Sequence, residues 1–169
     1  MMRRLTPALL ALGLLAGCDL RPVYGGGGSG PVATALGEIA VAPIAGKTGY
    51  LMQGALTDRL TGGPSAARRL EVELDDQITG FGIRSDQSVT RERRTLRARY
   101  RLVDSAAGTV LLDATASSDA GIDVVSSEYA LIAAEQTALE RLSKDIADQI
   151  VARLALYARR SGAAVAPPR

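Results

Sequence analysis

Apolar and polar residues alternate along this chain with two different periods. Leu70, Val72 and Leu74 are separated by Glu71, Glu73 and Asp75, the period of two that marks a strand with one buried face. The pattern returns in Leu96, Ala98, Tyr100 and Leu102, separated by Arg97, Arg99 and Arg101, and again over residues 109–117, where Val110, Leu112, Ala114 and Ala116 face inward. Turns near Ser85-Asp86-Gln87 and at Ser105 to Gly108 join these three strands into an antiparallel meander. Upstream, Glu38 to Ile44 is a short strand candidate that Pro43 ends or holds at a sheet edge. A turn at residues 46–49 leads into residues 50–60, where Met52, Ala55, Leu56 and Leu60 follow helical spacing until Gly62-Gly63-Pro64. Ser127 is an N-cap candidate for a long helix over 128–157, with Leu131, Leu139, Leu142, Ile146, Ile150, Leu154 and Tyr157 on one stripe.

The order strand, helix, three strands, helix predicts an α+β two-layer sandwich. Its mostly antiparallel four-stranded sheet carries two amphipathic helices on one face and leaves the other uncovered. Residues 37–158 are expected to form this single domain. Residues 159–169, ending in Pro167-Pro168-Arg169, lack an apolar pattern and are expected to be a disordered tail.

The amino end follows a third pattern. Arg3 and Arg4 precede a short apolar run from Leu5 to Leu15, then Ala16, Gly17 and Cys18. A membrane-spanning helix needs roughly 20 apolar residues, and this run is about half that, so residues 1–17 read as an export signal peptide. Leu15-Ala16-Gly17-Cys18 is similar to the lipobox of bacterial lipoproteins, which implies a diacylglyceryl thioether on Cys18, cleavage before it, and N-acylation. Arg21-Pro22 and the glycines from Gly25 to Gly30 follow, so residues 18–36 are expected to be a flexible tether. Two or more acyl chains hold a protein stably on a membrane.

Removal of 17 residues changes the charge balance. The chain has 20 basic and 18 acidic residues for a net +2, and loss of Arg3 and Arg4 leaves 18 of each. Near-neutrality argues against a nucleic-acid binder. There is no histidine, and Cys18 is the only cysteine, which removes Ser–His and Cys–His chemistry and nearly all zinc sites. Asp75 and Asp76 are adjacent on a strand and point to opposite faces. Gly25 to Gly30 lacks the strand, helix and Lys-Ser/Thr ending of a phosphate loop. No catalytic residue, metal ligand or cofactor is expected apart from the lipid on Cys18.

The densest feature is the run Arg91 to Arg101. Arg91, Arg93, Arg97, Arg99 and Arg101 share the polar face of one strand, while Arg94 falls on the other parity, near the hairpin tip where burial is relaxed. A hairpin turning about Asp86 sets Glu71 against Arg101, Glu73 against Arg99 and Asp75 against Arg97. Such cross-strand pairs contribute about 0.2–1 kcal/mol each. In that register Arg91 and Arg93 face Phe81 and Thr79 and lack acidic partners. The stripe therefore has two readings, a solvated ladder of ion pairs or an anion site, since arginine forks suit phosphates. All six arginines, Arg91, Arg93, Arg94, Arg97, Arg99 and Arg101, are candidates to bind an anionic lipid.

Cys18 is followed at once by Asp19-Leu20-Arg21-Pro22-Val23-Tyr24-Gly25. This opening, with the length and element order, resembles the lipopolysaccharide-assembly lipoproteins of the LptE family, of the alphaproteobacterial type. The resemblance runs from residue 18 to about 158. It implies a non-catalytic lipoprotein at the periplasmic face of the outer membrane. Such a protein plugs an LptD-like β-barrel, assists its assembly, and takes part in moving lipopolysaccharide to the cell surface, binding it through basic residues. Asp19 departs from the pattern, because in enteric bacteria an aspartate there retains lipoproteins in the inner membrane. The alternative function is a free-standing envelope lipoprotein that binds anionic lipid or acts as a structural adaptor. Mass spectrometry of the chain from its native host is expected to find an acylated amino-terminal Cys18. Cys18→Ser is expected to leave the leader uncut and the chain unacylated.

Overall fold

The computed structural model describes residues 30–83 and 89–165. It contains α1 (Pro31–Gly37), β1 (Ile39–Val41), α2 (Gly46–Thr57), β2 (Arg68–Ile83), β3 (Val89–Asp104), β4 (Val110–Asp123) and α3 (Glu128–Val165). The four strands form one sheet in the order β1-β2-β3-β4. β1 runs parallel to β2, and the other neighbours are antiparallel. This is the expected α+β sandwich. Strands of 16 residues extend about 50 Å at roughly 3.3 Å per residue.

Period-2 patterning sets the register of the hairpin. Glu71 lies opposite Arg101, Glu73 opposite Arg99 and Asp75 opposite Arg97, with Leu70 opposite Leu102 on the other parity. A shift by one residue would turn every leucine of this hairpin to water. The inner face of the sheet presents Leu70, Leu96, Ala98, Tyr100 and Leu102 to the helices. Against them α3 lays Leu139, Leu142, Ile146, Ile150 and Leu154, while Met52 and Leu56 of α2 and Leu36 of α1 close the layer. The expected stripe on α3 is therefore buried over its middle, and Leu131 and Tyr157 at its ends are half-buried.

Two tight places need glycine. A Cβ on Gly62 would stand 2.3 Å from the Ile39 carbonyl oxygen, the group to which the Gly62 N–H donates at 3.1 Å. Gly108 closes the β3–β4 turn with φ of 68°, a left-handed conformation that costs glycine little.

Several boundaries differ from expectation. Residues 31–36 of the expected tether belong to the helix Pro31–Gly37, because Pro31 at the helix start has its φ already set and Leu36 is buried on the core. α2 begins at Gly46, where a turn was expected, and β1 is shorter than the 38–44 candidate. α3 continues to Val165 instead of ending near Tyr157. Its last turns hold Arg159, Arg160, Ala163 and Ala164, good helix formers that extend a helix without an apolar stripe. The signal segment, Cys18, the glycine run and the turn at 85–87 lie outside the described residues. Among the described residues no helix is long and apolar enough to cross a membrane.

One buried hydroxyl is out of place. Ser143 is 1% exposed in the middle of the α3 stripe, and its Oγ has no hydrogen-bond partner. An unsatisfied buried polar group costs about 1–3 kcal/mol. Ser143→Ala is therefore expected to raise stability by about 1 kcal/mol, read as a higher urea midpoint at unchanged m-value.

Candidate functional site: the charged sheet face and its buried anchor

The outer sheet face is built by parity. Odd-numbered residues of β2, β3 and β4 point away from the helices. They bring Arg69, Arg91, Arg93, Arg97, Arg99 and Arg101 together with Glu71, Glu73, Asp75, Asp113, Asp119 and Asp123. Acids match arginines one for one. The basic strand β3 is central, and an acidic strand flanks it on either side.

The ion pairs follow this layout. Arg101 Nη2 lies 3.3 Å from Glu71 Oε2 and 3.5 Å from Glu73 Oε1. Arg99 turns the other way and donates to both carboxylate oxygens of Asp113, at 3.3 and 2.8 Å. This fork lowers the Asp113 pKa and raises that of Arg99. Arg91 Nε donates to Asp123 at 2.9 Å. Arg93 Nε lies 3.9 Å from Asp119, and its guanidinium stacks 5.5 Å from the centre of the Phe81 ring, a cation–π contact.

The expectation that Arg91 and Arg93 lack acidic partners is thus corrected. Their β2 neighbours are Phe81 and Thr79, as expected, but β4 supplies acids from the other side. The ladder also departs in detail. Glu71 pairs with Arg101, whereas Glu73 meets Arg101 in place of Arg99. Asp75 accepts from Gln77 Nε2 at 3.2 Å. Among the described residues Arg97 makes no ion pair within 4 Å, although its guanidinium sits at the middle of the face.

Arg94 lies elsewhere. Its even parity turns it toward the helices, where its side chain is 12% exposed, contrary to the relaxed burial expected near a hairpin tip. Nε donates to Asp76 Oδ1 at 2.9 Å and Nη2 to Oδ2 at 2.7 Å. Nη1 donates to the Glu135 carbonyl of α3 at 2.9 Å, and Thr48 of α2 donates to Asp76 Oδ2 at 3.0 Å. The Arg94 fork holds the Asp76 carboxyl below its usual 3.8, with help from Thr48 and against partial burial. Asp76 in turn raises the Arg94 pKa. Arg94 is therefore a structural clamp, with three of its five N–H donors occupied within the domain. Parity alone marked it as different, but Asp76 sits diagonally across the hairpin, and no pattern in β3 points to Thr48 or Glu135.

The outer edge of β4 completes the face. Val124 N–H bonds the Thr90 carbonyl of β3, so even positions of β4 point inward to the sheet and odd ones present backbone groups to the edge. The Ser117 carbonyl on that edge accepts from Gln149 Nε2 of α3 at 3.2 Å.

This one-sided α+β sandwich, with three helices behind the sheet, is the fold of structures described as lipoproteins. The LptE family profile, described as lipopolysaccharide-assembly, matches residues 36–154, and the chain belongs to that family of non-enzymatic lipopolysaccharide-assembly lipoproteins. It is similar to a structure described as a lipoprotein from Caulobacter crescentus CB15, with 26% identity and a TM-score of 0.65 over 77% of this chain and 98% of that one. Lipoprotein B from Nitrosomonas europaea shares the fold at 14% identity and a TM-score of 0.55, over 70% of this chain and 81% of that one. A minor lipoprotein from Acinetobacter baumannii does so at 12% identity and 0.53, over 70% and 88%. No curated protein matches the chain.

Removing one partner of the clamp strands the other. Arg94→Met is expected to cost about 2–4 kcal/mol of stability, as losses of partly buried ion pairs do. Asp76 has a lowered folded pKa, so its contribution is complete above 3.8 and is lost as pH falls through the lowered value. The stability gap between the natural chain and Asp76→Asn, measured by urea denaturation, should be widest near neutrality and close in acid.

Proposed function

We propose that this chain is a plug and assembly partner for an LptD-like outer-membrane β-barrel, held at the periplasmic face by lipid on Cys18. In this role it takes part in carrying lipopolysaccharide to the cell surface. The observation that carries the reading is the charge-balanced outer face on a chain of the lipopolysaccharide-assembly family. Such a face can lie against a polar barrel wall without burying net charge, whereas a uniformly basic face could not. Exposed apolar side chains at the hairpin end add to it. Phe81, Val125, Tyr129 and Ile132 are 39%, 48%, 89% and 56% exposed, more than a freely dissolved tip needs and suited to a partner.

Lipopolysaccharide contact falls within the same reading. Of the six arginine candidates, Arg94 is consumed by the clamp and Arg99 by Asp113. Arg97 is the best placed to meet a phosphate, with Arg93 and Arg91 next along the strand, where both side chains are more than 60% exposed.

Affinity capture from detergent-solubilised envelopes is expected to bring down a large β-barrel protein. Depletion is expected to lower both that barrel and surface lipopolysaccharide; unchanged levels of both would overturn the reading. Arg97→Glu is expected to weaken lipopolysaccharide binding more than Arg99→Gln, with the fold intact in both.

A further inference from the structure

The end of the sandwich opposite the hairpin tip carries a groove that neither the ladder nor the clamp uses. It lies between α1 and the late turns of α3 and has a volume of about 790 Å³, within the range of about 300–1,000 Å³ usual for small-molecule sites. Val32, Ala35, Tyr157 and Ala158 give it apolar walls, and Arg68 and Arg159 stand at its side with one acid, Glu38. Arg68 Nη1 is 3.6 Å from Glu38 Oε2, too far for a hydrogen bond, so the guanidinium keeps donors for a stronger acceptor.

Apolar walls beside two arginines fit an amphiphile with an acyl chain and a phosphate head. Basic pockets of this kind hold anionic head groups, and arginine forks match phosphate oxygens. The position of the groove says where such a molecule would come from. Pro31 lines it, and Gly30 comes 12 residues after Cys18, a span of about 40 Å at most when fully extended. The tether therefore holds the groove within that distance of the anchored lipid, while the hairpin tip lies about 50 Å away along the strands.

We infer that this groove holds one anionic phospholipid from the membrane in which Cys18 is anchored, its acyl chain between α1 and α3 and its phosphate at Arg68 and Arg159. The inference rests on the anchoring of Cys18 and is independent of any barrel partner. It gives the chain a second, non-covalent hold on the bilayer that fixes which end of the domain faces the membrane.

Native mass spectrometry of the full acylated chain, extracted in mild detergent, tests it. The expected spectrum shows one non-covalent phosphatidylglycerol per chain, with phosphatidylcholine offered at equal concentration left unbound. Ala35→Trp, which fills the groove, should lower occupancy at least fivefold. Arg159→Glu, at an exposed position outside the core, should lower it similarly while thermal melting stays unchanged. Absence of the adduct, equal retention of phosphatidylcholine, or full occupancy in Arg159→Glu overturns the inference. The same spectrum weighs the covalent group on Cys18, so a free thiol there marks failure of the anchor, and an acylated chain without adduct marks failure of the groove alone.

Discussion

Arg94 spends three of its donors on two elements that are far apart in sequence. Two bind Asp76 across the β2–β3 hairpin and the third binds the Glu135 carbonyl on α3, while Thr48 brings α2 onto the same carboxylate. The apolar layer between sheet and helices is non-directional: leucines and isoleucines attract without fixing how far a helix slides along the sheet. A bidentate ion pair has a fixed geometry. This partly buried charge pair is thus the one directional contact that ties β2, β3 and both long helices together, and the Arg59–Asp148 pair at 2.8 Å and the Gln149 bond to the Ser117 carbonyl add further fixed points for α3.

That pair also separates the two sides of the sheet chemically. Inward parity holds the packing and the Arg94–Asp76 clamp, and outward parity holds a ladder of exposed pairs that add little stability each. Helices cover most of one side, and charged side chains in balanced number line the other. The family assignment supplies the process, lipopolysaccharide assembly, and the fold presents a charge-balanced sheet face and exposed apolar side chains at the hairpin end.

The strands and the long helix were legible because burial on one face forces a periodic pattern. Leu70 with Leu102 and Glu71 with Arg101 follow from a hairpin centred on residue 86, and the structure shows this register. Pairing with a third strand was harder to see. Asp119 and Asp123 stand beyond the alternating stretch 109–117, and Asp113 pairs diagonally, so their approach to Arg93, Arg91 and Arg99 emerges only from the β4 register. α1 was hidden by its place beside a glycine run, although Pro31 and Leu36 carry the local signals of a helix start and a core contact. The clamp was least legible, since its four groups come from four elements. The groove is likewise a product of packing, formed where α1 meets the far end of α3.

The layout of the outer face has a consequence for how this domain varies. Arg101 reaches two carboxylates, Asp113 and Asp119 sit diagonally from their arginines, and each acid has a further cation within a residue or two along β3. Losing one charge leaves its neighbours able to regroup, and exchanging an acid for a base across a pair keeps the face neutral. Selection can therefore rewrite this surface pair by pair at small cost while the inner layer stays fixed in size and shape. The fold itself is shared at 26%, 14% and 12% identity, and a face built from exchangeable ion pairs places few demands on which residues stand where.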